Sequence, residues 1–252
     1  MARSSAEAPK YVYGVVRASP KTRLRDKGIY GKPIRVVATE GLGALTSDAP
    51  EGALEAGRDE LLTHSRVLER ALKRGTVLPM RFGVVMPGES AVRDELLAAH
   101  REQLEAQLDE MNGRVEVSIK GLYDEQRVLA ELVAENPDIA ELRHALRDQP
   151  EDATYFERMR LGELVAAALE VRRSADEHQI VERLAAHALG VEVGEPMHER
   201  MAVNASFLIE RDRTAEFDRT LDAIAAEHDG LIRFRYTGPL PPHSFVELSM
   251  EA

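Results

Sequence analysis

The sequence has no cysteine in its 252 residues. That absence removes disulfides, thiolate metal sites, iron–sulfur clusters and cysteine nucleophiles together, and it makes the cytosol the natural compartment. No stretch approaches the ~20 consecutive apolar residues of a membrane-spanning helix, and the first ten residues hold too short an apolar run for a secretion signal. The expectation is a protein that is neither secreted nor inserted in a membrane. Positive charge is also in short supply, with 33 Lys and Arg against 44 Asp and Glu and a net charge of -11. Such a chain repels polyanions, which excludes a nucleic-acid coat.

The motifs of common chemistries are missing too. Neither a GxxxxGK[ST] loop nor a strand-linked GxGxxG is present to cradle phosphates. The sequence lacks HExxH, the GxSxG elbow and the SxxK pair, so no metal-bound water or activated hydroxyl is legible. The reading is a protein that is not an enzyme, with no cofactor, no metal and no catalytic residue.

What is present is ordinary globular material, 44% apolar and 31% charged. The length suits two domains of roughly 100 to 150 residues. Charge divides unevenly: up to Gly113 there are 17 basic and 16 acidic residues, leaving 16 basic and 28 acidic beyond it. The two parts are expected to meet different surroundings.

Residues 11–17 alternate, with Tyr11, Tyr13 and Val15 opposite Val12 and Val16, and predict a strand. A loop at 19–32 leads to strands at 34–39 and 44–47, joined as a hairpin by a glycine-bearing turn. Leu61, Leu62, Val67, Leu68, Ala71 and Leu72 give residues 58–74 the spacing of an amphipathic helix. Residues 76–85 predict a strand interrupted by Pro79. Pro87 and Gly88 precede a long helix at 90–111, whose inner face carries Val92, Leu96, Leu97, Leu104 and Leu108.

A domain boundary falls near Asn112 and Gly113. Beyond it, Val115, Val117 and Ile119 oppose Glu116, Ser118 and Lys120 on a strand. Helical stretches follow at 125–135, 137–147 and 155–189, the last keeping a 3-4 spacing at Leu161, Leu164, Ala168, Val171 and Ala175, with a polar break at 174–179 that would bend or expose it. Short residues 191–193 and the alternating 202–209 predict strands, 214–228 a helix and 231–236 a last strand. The order strand, helical insert, strand, strand, helix, strand is that of a ferredoxin-like fold. The fold class is α+β, with an N-terminal domain at 1–112, a ferredoxin-like domain at 113–237 holding a helical insert at about 124–190, and a proline-rich tail at 238–252.

Several residues were weighed for chemistry. The turn at Pro87, Gly88, Glu89 and Ser90 could aim helix amides at an anion, although a plain helix start is the simpler reading. The histidines His64, His100, His144, His178, His187, His198, His228 and His243 are scattered. His178 and Glu182 lie four apart, the spacing of a solvated pair more than of a metal site, while His178 and His187 project to opposite faces. The pairs Asp59-Glu60, Asp94-Glu95 and Asp109-Glu110 sit on helices, where neighbours diverge by about 100° and share no proton. Lys21, Arg23, Arg25 and Lys27 form a basic loop without interleaved aromatics, better suited to an acidic partner than to nucleic acid. Arg233 and Arg235 share the wet side of a strand opposite Ile232, Phe234 and Tyr236. The tail from Gly238 to Val246 is too rich in proline for a helix or central strand. Its Leu240, Phe245 and Val246 point to a segment packed back on the domain, with a docking arm as the alternative.

Four stretches carry a resemblance: Tyr11-Val12-Tyr13-Gly14-Val15-Val16, Val77-Leu78-Pro79-Met80-Arg81-Phe82-Gly83, Val117-Ser118-Ile119-Lys120-Gly121, and the tail from Gly238 to Val246. In this order and spacing they resemble the GvpF/GvpL family of gas vesicle proteins, through essentially the whole chain. In the tail, Leu240 and His243 stand where that pattern commonly has aromatic residues. The resemblance implies a two-domain α+β protein with a modified ferredoxin-like second domain, acting as an accessory component of gas vesicle formation. It also implies the gas vesicle as location, and partnership with the hydrophobic shell protein and other accessory proteins. It brings no catalytic residue or cofactor. The rival expectation is a small-molecule-binding or enzymatic ferredoxin-like protein with a polar pocket near Arg81 or the basic loop. A third reading places the protein in the vesicle wall itself.

Overall fold

Strand β1, Lys10–Arg17, is apolar on both sides, and both sides are buried. Such a continuous apolar run belongs inside a sheet that is covered on two faces. The computed structural model, which describes residues 7–18, 27–49, 57–150 and 153–246, places β1 in a five-stranded sheet. The order is β2 (Arg35–Thr39), β3 (Leu42–Asp48), β1 and β4 (Val77–Pro79), with β5 (Val85–Met86) also paired to β1. All the registers of this sheet are antiparallel. Hairpin β2–β3 closes through Glu40 at φ 45° and Gly41 at φ 90°, the two left-handed positions of a type I′ turn.

The single interrupted strand expected at 76–85 is two short ones. The Met80 amide still donates to the Tyr13 carbonyl (2.9 Å), the chain then turns through Gly83 at φ 97°, and the Val12 amide donates to the Val84 carbonyl (2.9 Å). Both pieces therefore use one edge of β1.

Helix α1, Arg58–Leu72, buries His64, Val67, Leu68, Ala71 and Leu72. Leu61 and Leu62, expected on that inner face, are exposed. The long helix expected at 90–111 is not continuous. Helix α2 (Glu89–Ala91) runs into a π-helical stretch, Val92–Ala98, and the chain breaks at His100 before α3, Arg101–Glu110. A π turn accommodates one residue more than an α turn and shifts the faces that follow. Val92, Leu96, Leu97, Leu104 and Leu108 are nonetheless all buried.

Strand β6, Arg114–Tyr123, is followed by α4 (Glu125–Glu135), α5 (Pro137–Leu146), α6 (Tyr155–Ala185), β7 (Gly190–Val193), β8 (Met201–Glu210), α7 (Thr214–Glu227) and β9 (Ile232–Leu240). The four strands form a second antiparallel sheet in the order β7-β8-β6-β9. On β8, Val203, Ala205, Phe207 and Ile209 form one buried face, and Phe207 meets Phe217 of α7 edge-on with ring centres 5.2 Å apart. Contacts cluster the chain into two compact units, residues 1–116 with 238–252, and residues 117–237.

The tail begins inside a strand, against expectation: Gly238, Pro239 and Leu240 complete β9. As the outer strand of its sheet, β9 tolerates a proline because one side has no ladder to supply. Beyond it Pro241 and Pro242 are buried. The Ser244 amide and hydroxyl donate to the Glu116 carboxylate at 2.8 and 2.9 Å. Glu116, set by alternation opposite Val115, Val117 and Ile119, is thus buried and bonded.

Candidate interaction surface

The helical insert is built by local rules. Asp124 caps α4, its Oδ1 accepting from the Arg127 amide at 3.0 Å. Asn136 ends α4 by donating from its side chain to the Leu132 carbonyl (2.7 Å), and Pro137 opens α5 at the helical position where a missing N–H is harmless. One face of this pair is buried through Val128, Leu132, Ile139 and Leu146.

Helix α6 has 31 residues and is about 46 Å long. Its buried residues, Asp176, Ile180 and Leu184, all lie in the C-terminal half, the part that packs on β8 and α7. The first half contacts α4 and α5 and buries nothing fully. It leaves Phe156 77% and Tyr155 61% exposed, Val171 just past the midpoint is 73% exposed, and Leu129 of α4 and Met159 of α6 are open as well. The spacing at Leu161, Leu164 and Ala168 does give half-buried contacts, while Val171 and Ala175 point to solvent.

Between α4 and this half of α6 runs an apolar groove. One stretch, of about 640 Å³, has Leu129, Val133, Ile139, Leu161 and Val165 on its walls and Arg143 and Arg158 as its charged residues. A second, of about 920 Å³, shares Leu129, Gly162 and Val165 with the first and extends past Ala166 and Leu169 to a charged end with Glu125, Glu170, Arg173, Glu199 and Arg200. Isolated exposed apolar residues are normal on a protein surface, whereas a contiguous apolar channel marks a binding site.

A buried polar network fixes the insert to its sheet. The Tyr123 hydroxyl on β6 donates to Asp176 Oδ2 at 2.6 Å, and Arg172 Nε donates to the same carboxylate at 3.0 Å. Arg172 also reaches Glu131 (3.1 Å) and Glu135 (3.3 Å) on α4. Burial, and then the Asp176 charge, push the Tyr123 phenol far above its ordinary range, so it stays a donor. The polar stretch at 174–179 does not bend α6; it contains the carboxylate on which the network converges. Sequence reasoning missed this site, whose only visible signal was the i,i+4 spacing of Arg172 and Asp176.

A second cluster lies in the first unit. Tyr11, Tyr13, His64 and Phe82 pack ring against ring, and His64 bonds through both nitrogens, to the Tyr11 hydroxyl at 2.8 Å and the Met80 carbonyl at 3.1 Å. Tyr13 bonds Ser47 at 2.9 Å and receives the Ile29 amide at 2.8 Å. The Tyr11, Tyr13 and Ser47 hydroxyls are all hydrogen-bonded inside this core.

The other residues weighed from sequence do not converge. His178 and Glu182 stand 3.9 Å apart with both side chains well exposed, and His187 bonds Thr220 at 2.9 Å instead of meeting His178. Among the described residues no group of three His, Asp or Glu side chains is placed to hold a metal, and no helix is long and apolar enough to cross a membrane. The helix start at Ser90 is taken by the chain's own Glu7, whose carboxylate accepts from the Ser90 amide at 2.8 Å and its hydroxyl at 3.0 Å. Asp59 and Glu60 occupy the first turn of α1, and Asp109 pairs with Arg17. Arg81, Arg233 and Arg235 are exposed. Lys21, Arg23 and Arg25 lie outside the described residues, while Lys27 bridges to Pro33.

Two antiparallel sheets with helices, one set of which carries an open groove, define an α+β protein. The family model described as gas vesicle synthesis protein GvpL/GvpF matches residues 9–247, and the chain belongs to that family. It is 38% identical over 240 residues to gas vesicle protein F of Streptomyces sp. (strain CB03234), covering 94% of this chain and 99% of that one. It is 29% identical to gas vesicle protein L1 of Halobacterium salinarum, with 94% and 90% covered. The crystal structure of GvpF from Anabaena sp. PCC7120 superposes with a TM-score of 0.82 at 27% identity, over 97% of this chain and 100% of that chain.

Proposed function

We propose that the protein is an accessory factor of gas vesicle assembly, working in the cytoplasm at the growing vesicle, that binds the hydrophobic shell protein and other accessory proteins and catalyses no reaction. Membership of a family of gas vesicle synthesis proteins supports the setting. The observation that carries the mechanism is the half-covered α6: its C-terminal half is buried on the sheet, while its N-terminal half presents an open, largely apolar groove. A shell subunit with exposed apolar surface must be covered before it joins a wall, and such a channel covers apolar surface without burying unpaired charge. Neither nucleic acid nor membrane is a partner in this reading.

The second domain is read as ferredoxin-like, with domains at 1–112 and 113–237 and a tail from 238. The chain order β6, helices, β7, β8, α7, β9 and the spatial order β7-β8-β6-β9 both favour it. On that reading the insert α4–α6 is an elaboration of the first crossover, so a binding surface is added without disturbing the sheet. Co-expression with the shell protein tests the function: the shell protein is retained in a soluble complex, and replacing Leu129 and Val165, which line both stretches of the groove, by serine releases it. Failure of the wild-type protein to hold the shell protein, with unchanged vesicle yield on deletion, would refute it.

A further inference from the structure

Gly162 sits where the two stretches of the groove meet. A glycine within a helix costs about 1 kcal/mol relative to alanine, so an internal one calls for a reason. The fold supplies none: a Cβ at Gly162 would meet no atom within 4 Å, and its backbone is not left-handed. The missing side chain keeps the groove floor open where something from outside comes close. Gly162, Val165, Ala166 and Leu169 follow one another at i, i+3, i+4 and i+7, the stripe that another helix packs against.

The charges at the rim are asymmetric. Past Leu169, Arg173 is paired with Glu170 and Arg200 lies 3.8 Å from Glu125. At the other end, Arg158 donates to the Thr154 hydroxyl (3.1 Å) and to the carbonyls of Leu146 (3.5 Å) and Gln149 (3.3 Å). Among the described residues neither Arg158 nor Arg143 has a carboxylate partner. On a chain with net charge -11, the described lining of this stretch is positive, since Arg143 and Arg158 are its charged residues.

We propose that this groove receives an amphipathic helix of a partner protein, its backbone passing close over Gly162 and its acidic side directed to Arg143 and Arg158. A helix satisfies its own backbone, so apolar walls suit it, whereas an extended segment would leave N–H and C=O groups unmet against Leu129, Val133 and Leu161. Arginine is the side chain fitted to take a carboxylate at such a rim. The proposal deepens, and rests on, the reading of the insert as the partner-binding element.

The test uses the full-length protein and two labelled peptides of about 18 residues, enough for five helical turns. They share one leucine–alanine stripe and differ only in flanking glutamates or lysines. By fluorescence anisotropy the glutamate peptide is expected to bind at least about tenfold more tightly, and Arg143→Glu with Arg158→Glu should invert the preference. Gly162→Leu should weaken the glutamate peptide at least about tenfold. Gly162→Ala should weaken it less while raising Tm, because alanine is the better helix former. Equal binding of the two peptides, no binding of either, or binding indifferent to Gly162→Leu overturns the groove. Co-expressed shell protein separates the two readings. If wild type and Gly162→Leu hold it equally, the insert binds shell protein by another face and the groove proposal falls. If the glutamate peptide binds in a Gly162-dependent way while shell protein is not held, the groove stands and the shell reading falls.

Discussion

The hydroxyl of Tyr11 donates to Nδ1 of His64 at 2.8 Å, while Nε2 of the same ring donates to the Met80 carbonyl at 3.1 Å. The Met80 carbonyl can only accept, so Nε2 carries a proton, and in the neutral ring Nδ1 accepts from the Tyr11 hydroxyl. Burial drives the imidazole the same way, lowering its pKa from 6.5 to about 4. In the unfolded chain the ring takes its proton near pH 6.5, but in the folded chain only near pH 4. The unfolded state therefore binds more protons across that window, and stability falls as pH drops through it. The loss from this residue is roughly 3 kcal/mol once pH is below about 4. Urea unfolding of wild type and His64→Gln at pH 7.5 and 4.5 checks it: the variant is expected to lose clearly less stability on acidification.

The Tyr123–Asp176 bond joins the sheet to α6. Tyr123→Phe removes the donor and leaves a buried carboxylate with Arg172 alone, at a cost of about 1–3 kcal/mol. Asp176→Asn in the same background should cost less than in wild type, with a coupling of about 0.5–3 kcal/mol in a double-mutant cycle. Additive losses would mean that the two side chains do not act together.

Gly14 lies in β1 beside a register shift, and a Cβ there would stand 2.6 Å from the Leu78 carbonyl and 2.9 Å from Leu68 Cδ2. Backbone cannot step aside as a flexible side chain can. Gly14→Ala is expected to destabilise by about 1–3 kcal/mol, whereas Gly75→Ala, whose Cβ meets nothing within 4 Å, should be close to neutral. Thermal unfolding of the pair separates close packing from loss of glycine flexibility.

Phe156 and Val171 protrude from α6 without covering the core. Serine at either position should leave stability within about 0.5 kcal/mol, the ordinary range for surface substitutions. Capture of the shell protein should be unchanged in the same variants, because neither side chain lines the groove. A large loss of Tm would instead place these side chains in the fold's own packing.

Much of the architecture was legible because it rests on periodicity. Tyr11 to Val16, Val203 to Ile209, and Phe217, Leu221 and Ile224 fall on the core as their spacing predicts. What was misread involves contacts between residues far apart in sequence. Alternation set Glu116 on the polar side of its strand, and Ser244, 128 residues later, supplies the donors that let it be buried. The stretch at 174–179 looked like a break because Asp176 is polar, and its partner Tyr123 is 53 residues away. The split of residues 76–85 into β4 and β5 depends on both halves finding one edge of β1.

The sequence by itself determined the α+β class, the absence of thiol chemistry and of known catalytic motifs, and the stretches that resemble its family, because composition and local spacing are properties of the chain alone. Only the tertiary structure decided that the C-terminal half of α6 reaches full burial while the N-terminal half stays partly exposed beside α4 and α5. The two halves carry similar helical patterns, and which one is covered depends on where β8, α7 and α4 arrive beside it. The place of Gly162 was decided in the same way: in sequence it is a glycine within a helix, and only the walls of α4 around it make it the floor of a groove.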